Sequence, residues 1–283
     1  SGPAGSGKTI IAVEIAKKSI NNGLTTCFLV RNKYFQNYIK DLIGKFGIDV
    51  ISIDEGYSSL KKYQCIIVDE GQDLMTYECL EKFENLLKSP IEQSNIYWFM
   101  DENNQSNLYS DYDENAFEKY FKDYPFFKLF LQKNCRNPVE IIKETNNIAG
   151  TELITRVKGY SEPTKHIKIK NDDKVKHASA LVEEIGSLLD ENIHPEDIAV
   201  ITFKDEHSSC VHEIQKSYYN LAPFNQAFAG MTEIKFFDVL GFKGQEVRFV
   251  ILIDIYSGIN QNMLKNLFYT GLTRTKTRAT IIR

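Results

Sequence analysis

The stretch SGPAGSGKT, residues 1–9, decides the fold of the first part of the chain. It matches the pattern GxxxxGK[ST], in which backbone N–H groups wrap phosphates, a lysine reaches the β and γ phosphates and a hydroxyl joins the Mg²⁺ shell. The apolar residues of the next stretch, TIIAVEIAKKSI, recur with helical spacing. The sequence therefore predicts a phosphate-binding loop that opens a helix, with a glycine-rich turn as the alternative. The residues expected to contact a nucleotide are Gly2, Gly5, Gly7, Lys8 and Thr9.

A second stretch, CIIVDEGQDL at residues 65–74, ends an apolar run in acidic side chains. Its apolar part predicts a buried strand. Beside a phosphate-binding loop, such a strand delivers an aspartate to Mg²⁺ and a neighbouring glutamate to the attacking water. We therefore expect Asp69 to be the metal carboxylate and Glu70 to be the general base. An acidic helix N-terminus is the alternative, although the helix dipole would account for only one of the carboxylates.

The composition is that of a folded protein with one large domain or two ordinary ones. The chain has 283 residues, of which 42% are hydrophobic and 25% are charged, and its net charge is -4. This charge gives no general attraction to nucleic acid, so binding of that kind needs a local basic surface. No apolar run approaches the roughly 20 residues that span a bilayer, and the cysteines form no CxxC pair. We expect a cytoplasmic protein with reduced thiols and no membrane contact.

The order of the predicted elements indicates two halves, residues 1–136 and 137–283. Strands alternate with helices in both halves, a pattern typical of parallel sheets. In the first half we expect strands at residues 25–30, 66–68 and around Trp98, and helices after the loop, at 38–46 and at 77–88. In the second half we expect strands at 166–170, 197–203 and 247–255, and helices at 176–191, at 209–219 and around Tyr269 and Arg274.

The segment DEGQD, residues 69–73, resembles the DExQD box of superfamily 1 helicases, the UvrD/Rep/PcrA-like group. Further stretches resemble later boxes of this family in the same order, and together they cover nearly the whole chain. These stretches are YWFMDENNQSNLY (97–109), LQKNCRNP (131–138), FKGQEVRFVILIDI (242–255) and LFYTGLTRTK (267–276).

The resemblance implies a role for one or two residues in each box. Gln105 would sense the γ-phosphate, and Glu246 would hold the ribose. Arg136 and Arg274 would stabilise the charge that develops on the transferring phosphoryl group. Gln72 would join a hydrogen-bond network around the metal carboxylates.

The same resemblance implies an α/β fold of two RecA-like P-loop domains with parallel sheets and a nucleotide site in the cleft between them. It also implies ATP and Mg²⁺ as ligands, and single-stranded nucleic acid as a partner, DNA rather than RNA. Because the intervals between the boxes hold only the elements predicted there, we expect a minimal motor core that lacks accessory domains and acts as a monomer. Compact modules of this type follow nuclease-related domains in some bacterial proteins.

A buried strand normally leads into a phosphate-binding loop, and no residues stand before Ser1 in the sequence. We therefore expect the chain to be a piece of a longer protein that carries a further domain upstream.

The resemblance also implies nucleic-acid contacts, for which cationic grooves and aromatic stacking surfaces are the expected features. The expected contacts are Asn32, Lys33, Tyr109 and Lys243. Trp98 lies inside a strand pattern, so we expect it in the core. The run YPFFKLFL, residues 124–131, is expected to be a buried strand.

Several positions depart from the family pattern, and the box after the first helix reads VRNKY (30–34) where the family has a Thr-x-x-Ala-type sequence. Cys135 stands where a tyrosine stacks on adenine, and Asp238 and Leu240 stand where a threonine and a histidine face nucleic acid. Two functional classes therefore stay open. One is a nucleic-acid-dependent ATPase that translocates on or unwinds DNA, and the other is a nucleotide-gated module that controls an attached effector, such as a nuclease, without translocation. The arginine pair and Glu70 favour hydrolysis in both.

Overall fold

The structure, a computed structural model, describes residues 1–54, 61–101, 113, 115–122, 124, 126–157, 161–170, 173–214, 219–226, 232–256 and 258–283. The chain forms two compact units, Ser1–Asn134 (unit 1) and Cys135–Arg283 (unit 2). Within the described ranges, no helix is long and apolar enough to cross a membrane.

Unit 1 is an α/β fold built on a parallel sheet. Its strands are β1 (Thr26–Val30), β2 (Asp49–Ser52), β3 (Cys65–Val68) and β4 (Asn95–Trp98). Its helices are α1 (Lys8–Asn21), α2 (Lys33–Ile43), α3 (Tyr77–Glu84) and α4 (Ala116–Phe121). The strands lie in the order β2-β1-β3-β4, and each neighbouring pair is parallel. The carboxyl ends of β1, β3 and β4 therefore meet at one edge of the sheet.

Apolar residues on both faces place β1 and β3 at the centre of unit 1. Every residue of both strands is buried. Phe28 and Ile67 enter a core that includes residues of α1 and α2, whereas Leu29 and Val68 enter a second core that includes residues of α3. Continuous apolar runs of this kind are typical of parallel strands that are covered on both faces.

Unit 2 is a second α/β fold with a parallel sheet. Its strands are β5 (Lys165–Ile167), β6 (Ile198–Thr202), β7 (Lys235–Asp238), β8 (Val247–Ile253) and β9 (Thr275–Ile282). Its helices are α5 (Val139–Ala149), α6 (Lys174–Asp190) and α7 (Gln261–Leu272). The strand order is β5-β9-β8-β6-β7, again with parallel pairs throughout. The predicted α/β architecture with parallel sheets is confirmed.

Five elements had no counterpart in the sequence-based prediction: β2, β7, β9, α4 and α5. The helix predicted at 38–46 begins earlier, at Lys33, because the Asn32 side chain accepts hydrogen bonds from the N–H groups of Tyr34 and Phe35. Such N-caps satisfy donors that the first helical turn leaves without a partner. Trp98 packs against the core of unit 1, as expected, with its ring edge-on to Phe83 at 5.3 Å between centroids.

Three expectations about secondary structure are wrong. Residues 126–131 form no strand in the structure and are mostly exposed, so the run is not a buried strand. The segment predicted as a helix at 209–219 contains a 3₁₀ turn, Cys210–Glu213, whose start is tied to Asp254 by hydrogen bonds. The last helix ends at Leu272, so Arg274 lies in the turn that leads into β9.

Asp254 fixes the loop that follows β6 in unit 2. It directly follows β8 and is buried, and its Oδ2 accepts hydrogen bonds from the hydroxyls of Thr202 (2.7 Å) and Ser209 (2.6 Å). Its Oδ1 accepts from the Cys210 N–H at 3.0 Å. Burial and the Asp254 carboxylate raise the pKa of the Cys210 thiol, which keeps that thiol neutral. One side chain therefore joins the carboxyl ends of β6 and β8.

Replacing Asp254 by asparagine should weaken this junction, because an amide supplies only one acceptor oxygen for three donors. We expect the free energy of unfolding to fall by about 2 kcal/mol. Urea-induced unfolding followed by circular dichroism measures the change. The matched control is Asp197→Asn, because Asp197 pairs with the exposed Arg248 and such pairs contribute less than about 1 kcal/mol. Equal losses in the two variants would contradict the role given to Asp254.

Candidate nucleotide-binding site

The glycine-rich loop closes around the side chain of Lys8 in unit 1. Gly5 and Gly7 have φ angles of 70° and 92°, which favour glycine, and α1 begins directly after Gly7. Lys8 is buried, and its Nζ donates hydrogen bonds to the carbonyl oxygens of Gly2 (2.8 Å) and Pro3 (2.9 Å). The predicted phosphate lysine is therefore held over the loop at the start of a helix, where anions bind.

Gly2 is required by close packing. Its N–H donates to the carbonyl oxygen of Met100 at 3.1 Å. A Cβ at this position would lie 2.7 Å from the carbonyl oxygen of Leu131 and 2.9 Å from the Leu131 Cβ. Any larger residue would push the loop away from its neighbours.

Asp69 ends the central strand β3 with a fully buried carboxylate. Its Oδ1 accepts a hydrogen bond from the Glu70 N–H at 3.0 Å, whereas its Oδ2 is buried without a hydrogen-bond partner. Burial and the neighbouring Glu70 raise the pKa of Asp69 to about 6, although the Thr9 hydroxyl and Lys8 act in the opposite direction. Asp69 therefore interacts with both Thr9 and Lys8, as the two motifs together predict.

The buried Oδ2 atom of Asp69, which has no hydrogen-bond partner, bears on whether this site suits Mg²⁺. Magnesium binds oxygen ligands, usually one or two carboxylates together with substrate phosphates and waters. A buried carboxylate oxygen without a donor, beside the Thr9 hydroxyl, is the kind of ligand set that such an ion requires. Asp69 and Thr9 therefore suit Mg²⁺.

Gln72 connects the two acidic strand ends of unit 1. Its Nε2 donates to Glu70 Oε2 at 2.6 Å, and its Oε1 accepts from the Asp101 N–H at 2.9 Å. Glu70 has a positive φ of 51°, an unusual conformation that turns the chain sharply after Asp69. Gln72 and Asp101 are both buried. The amide therefore fixes the position of the Glu70 carboxylate relative to the end of β4.

The remainder of the DEGQD segment is tightly packed. The Gly71 N–H donates to the Phe99 carbonyl at 2.7 Å, and a Cβ on Gly71 would lie 2.0 Å from the Nε1 atom of Trp98. The Asp73 carbonyl accepts from Arg31 at 2.8 Å. A glycine between Glu70 and Gln72 is thus a packing requirement that the sequence alone did not reveal.

The predicted nucleotide residues of unit 2 form an ion-pair cluster. Arg136 Nε lies 2.7 Å from Glu246 Oε2, and Lys276 pairs with the other oxygen of the same carboxylate. Burial alone would raise the pKa of Glu246, but Arg136 and Lys276 bring it below its usual value. The cluster places the predicted phosphate arginine beside the predicted ribose ligand. Lys276 is the last residue of the recognised stretch LFYTGLTRTK, and no pattern in that stretch predicted its ion pair.

Arg274 occupies the turn between α7 and β9. It is 3% exposed, its N–H donates to the Gly271 carbonyl at 3.3 Å, and its carbonyl accepts from the Val247 N–H at 3.1 Å. The Asn137 side chain donates to the carbonyl oxygens of Thr273 and Thr275, on either side of Arg274. Both predicted arginines therefore contact or flank the Thr273 turn, because Arg136 donates to the same Thr273 carbonyl at 3.2 Å.

The turn before Lys243 depends on Asp238. Its carboxylate accepts from the Gly241 N–H and from the Asn225 side chain, whose Oδ1 in turn accepts from the Asp238 N–H at 3.1 Å. Asp238, which departs from the family pattern, therefore stabilises the turn in which it lies. Lys243 is 1% exposed, so its predicted contact with nucleic acid stays a prediction that requires the side chain to become accessible.

The structure describes only some of the other predicted nucleic-acid and nucleotide residues. Asn32 caps α2, and Lys33 begins that helix with its Nζ 5.1 Å from the centroid of the Tyr34 ring. Gln105 and Tyr109 lie outside the described residues. Cys135 is exposed, whereas the remaining cysteines are buried and free.

A family model named Schlafen group 3, DNA/RNA helicase domain, matches residues 1–183. The chain belongs to this helicase-domain family. A second model, the UvrD-like helicase C-terminal domain, matches residues 235–282. The resemblance of the sequence to superfamily 1 helicases is confirmed. No curated protein matches the chain.

Solved helicase structures share the fold of this Schlafen-type helicase domain. The PRRSV helicase has a TM-score of 0.52 and 10% identity, over 99% of this chain and 51% of that one. The arterivirus nonstructural protein 10 helicase has a TM-score of 0.52 and 14% identity, over all of this chain and 58% of that one. The same helicase in complex with DNA gives the same TM-score and identity, over 59% of its chain. The chain thus spans little more than half the length of these structures.

Replacing Gln72 by alanine should destabilise unit 1 of this helicase domain. The change removes the hydrogen bonds to Glu70 and to the Asp101 N–H, and a buried donor that loses its acceptor costs about 1 to 3 kcal/mol. We expect a loss of that size in the free energy of unfolding, measured by urea titration. Gln93→Ala, at an exposed position, is the control and should change stability by less than about 0.5 kcal/mol. If the Gln72→Ala protein is as stable as that control, the hydrogen bonds of Gln72 to Glu70 and Asp101 do not stabilise unit 1.

Proposed function

We propose that this helicase-like domain hydrolyses ATP and uses the reaction to move along single-stranded nucleic acid. The observation that carries the proposal is the orphaned Asp69 Oδ2 beside Thr9 and Lys8, with Glu70 held next to it by Gln72. A phosphate loop, a metal carboxylate and a candidate base within one unit are the components that phosphoryl transfer to water requires.

The residues of unit 1 have separate roles in this reaction. Backbone N–H groups of the loop and the Lys8 ammonium bind the β and γ phosphates, after Lys8 leaves the carbonyl oxygens of Gly2 and Pro3. Glu70 orients the attacking water and accepts its proton. The water oxygen forms a bond to the γ-phosphorus while the bond from that phosphorus to the β–γ bridging oxygen breaks, which releases ADP and phosphate.

Thr9 and Asp69 would hold Mg²⁺, whose charge, when it is bound, offsets the negative charge that develops on the phosphoryl oxygens. The two residues supply a hydroxyl and a carboxylate oxygen, the hard ligands that this ion prefers. Gln72 supports them indirectly, because it keeps Glu70 from turning away from the end of β3.

Arg136, Arg274 and Glu246 of unit 2 complete the proposal. Under the family resemblance, the arginines stabilise the transferring phosphoryl group and Glu246 binds the ribose. The Arg136–Glu246 ion pair supports the proposal that both residues bind the same nucleotide. A phosphate that pairs with Arg136 would free the Glu246 carboxylate to bind the ribose. Gln105 remains the proposed γ-phosphate sensor.

Single-stranded DNA is the proposed track. The family name includes both DNA and RNA, and the arterivirus helicase that shares the fold has been solved in complex with DNA. Asn32 and Lys33, at the carboxyl end of β1, are the proposed contacts in the described part of unit 1, and Tyr109 is proposed as a stacking residue. We further propose that the protein acts as a monomer in the cytoplasm.

A nucleotide-gated switch is the second candidate function. It is favoured by Asp238, which is engaged in its own turn, and by Lys243, which is buried where the family resemblance places a strand contact. In this alternative, hydrolysis controls an attached effector such as a nuclease and no movement along a strand takes place.

Steady-state ATPase activity with and without single-stranded DNA or RNA separates these functions. We expect strand-stimulated turnover, and we expect Lys8→Ala and Arg274→Ala each to lower kcat by about 1,000-fold, because each removes a charge from the transferring phosphoryl group. Lys18→Ala, in the same helix as Lys8, and Arg248→Ala, in the same unit as Arg274, are exposed control variants that should keep wild-type turnover.

Each outcome selects one function. Turnover that both variants abolish and that single strands stimulate supports the motor. Turnover that both variants abolish but that neither strand alters refutes the motor and supports the switch. Absence of ATP hydrolysis by the wild-type protein would refute both.

A further inference from the structure

Arg31 directly follows strand β1, at the sheet edge where the carboxyl end of β3 carries Asp69. The segment VRNKY (30–34), to which Arg31 belongs, departs from the family pattern. Asn32 and Lys33, the next two residues, are the proposed nucleic-acid contacts of unit 1. Arg31 is therefore next to the proposed strand contacts in the chain, and it lies one strand away from the proposed metal carboxylate in the sheet.

The Arg31 side chain turns towards the DEGQD segment. It is 11% exposed, and its Nη1 donates a hydrogen bond to the Asp73 carbonyl oxygen at 2.8 Å. Its Nε lies 3.3 Å from Oδ1 of Asp54, whose side chain is half exposed. The Arg31 carbonyl accepts a hydrogen bond from the Ser52 hydroxyl at 2.6 Å. Arg31 thus connects the DEGQD segment to the carboxyl ends of β1 and β2.

Hydrogen bonds continue from the Asp73 peptide to the Glu70 side chain. The Asp73 N–H donates to the Glu70 carbonyl at 2.9 Å, within the turn Gly71–Leu74. Glu70 has a positive φ of 51°, and its carboxylate accepts from Gln72 at 2.6 Å. A backbone conformation of this kind persists only where the surrounding contacts fix it. The position of Glu70 therefore depends on the contacts that hold the turn, and the bond from Arg31 is one of them.

The proposed strand contacts are joined to Arg31 without a flexible segment. The Asn32 side chain caps α2, because it accepts hydrogen bonds from the first N–H groups of that helix. Lys33 is the first residue of α2. A strand phosphate that pairs with Lys33 would shift the start of this helix, and one residue alone separates that lysine from Arg31.

We propose that Arg31 is a positioning residue that couples strand binding at the start of α2 to the orientation of Glu70, an inference that rests on the proposed motor function. Strand binding shifts the end of β1, and the guanidinium moves the Asp73 carbonyl with it. The DEGQD turn then brings the Glu70 carboxylate into line with the attacking water. Every contact of this route lies within unit 1.

A role for Arg31 in stability alone would have different consequences. The loss of its hydrogen bond to the buried Asp73 would destabilise the turn. Such a loss lowers basal turnover and strand-stimulated turnover together. Loss of coupling instead lowers the ratio of stimulated to basal turnover, so this ratio separates the two roles.

The steady-state ATPase activity of Arg31→Met, measured against the concentration of a single-stranded oligodeoxythymidylate, tests the coupling. Methionine fills much of the same space but has no hydrogen-bond donor. We expect the ratio of stimulated to basal turnover to fall about tenfold, a usual size for coupling between two sites, while the Kd for the strand stays within about twofold. Fluorescence anisotropy of a labelled oligonucleotide measures this Kd.

Three further variants separate the contributions. Asp54→Asn removes the ion pair but leaves the bond to Asp73, so the ratio should keep its wild-type value. Lys82→Met removes another cation of unit 1 that pairs with an exposed carboxylate, and it should also leave the ratio unaltered. Lys33→Ala removes a proposed strand contact, so it should raise the Kd for the strand, in contrast to Arg31→Met.

Hydrogen exchange in the absence of nucleotide gives a second readout that needs no hydrolysis. We expect the strand to slow exchange of the Asp73 amide about tenfold in the wild-type protein, because a turn that is held more firmly opens less often. In Arg31→Met the strand should have no such effect. The central amides of α6 in unit 2 are the internal control, and their exchange should not respond to the strand in either protein.

The outcomes separate the coupling from the proposed motor. With a wild-type protein that the strand stimulates, an unchanged ratio in Arg31→Met would overturn the coupling and leave the motor intact. A loss of strand affinity that matches the loss of stimulation would also overturn it, because Arg31 would then contact the strand itself. Wild-type turnover and Asp73 exchange that no strand alters would refute the motor, and the coupling with it.

Discussion

A carboxylate that is withdrawn from water costs several kcal/mol unless nearby groups compensate for the lost hydration. Asp69 is in this position, because it ends β3, one of the two central strands of unit 1, and is fully buried beside Lys8 and Thr9. Lys8 and the Thr9 hydroxyl offset part of the cost, while the neighbouring Glu70 adds to it. The positive φ angles of the loop, the register of β3 with β4 and the bridge through Gln72 all contribute to holding these charges at one edge of the sheet.

The sequence predicted the parts of the site that depend on short stretches of chain. The spacing of Lys8 and Thr9 and the acidic end of the β3 strand are local patterns, and the structure brings Lys8, Thr9 and Asp69 together. The Gln72 bridge to Asp101 was not predictable from spacing, since it requires β3 and β4 to be neighbours. The Arg136–Glu246–Lys276 cluster likewise joins residues far apart in the chain.

The failed prediction for residues 124–131 has a physical explanation. Apolar residues on both faces indicate that a segment is suited to burial. Burial also needs a partner strand, and the sequence pattern does not reveal whether one is present. In the described part of the chain, the backbone of this segment bonds to Ser1 through Leu129 and Leu131, and no described strand pairs with it.

ATP binding measured by isothermal titration calorimetry, with and without Mg²⁺, tests the central claim that Asp69 anchors a metal and nucleotide site. For the wild-type protein the account predicts that Mg²⁺ strengthens ATP binding by about tenfold or more, which is 1.4 kcal/mol or more of binding free energy. For Asp69→Asn it predicts that this gain disappears while Mg²⁺-free binding persists, because the asparagine keeps the volume but loses the charge. An undiminished Mg²⁺ gain in Asp69→Asn would contradict the account.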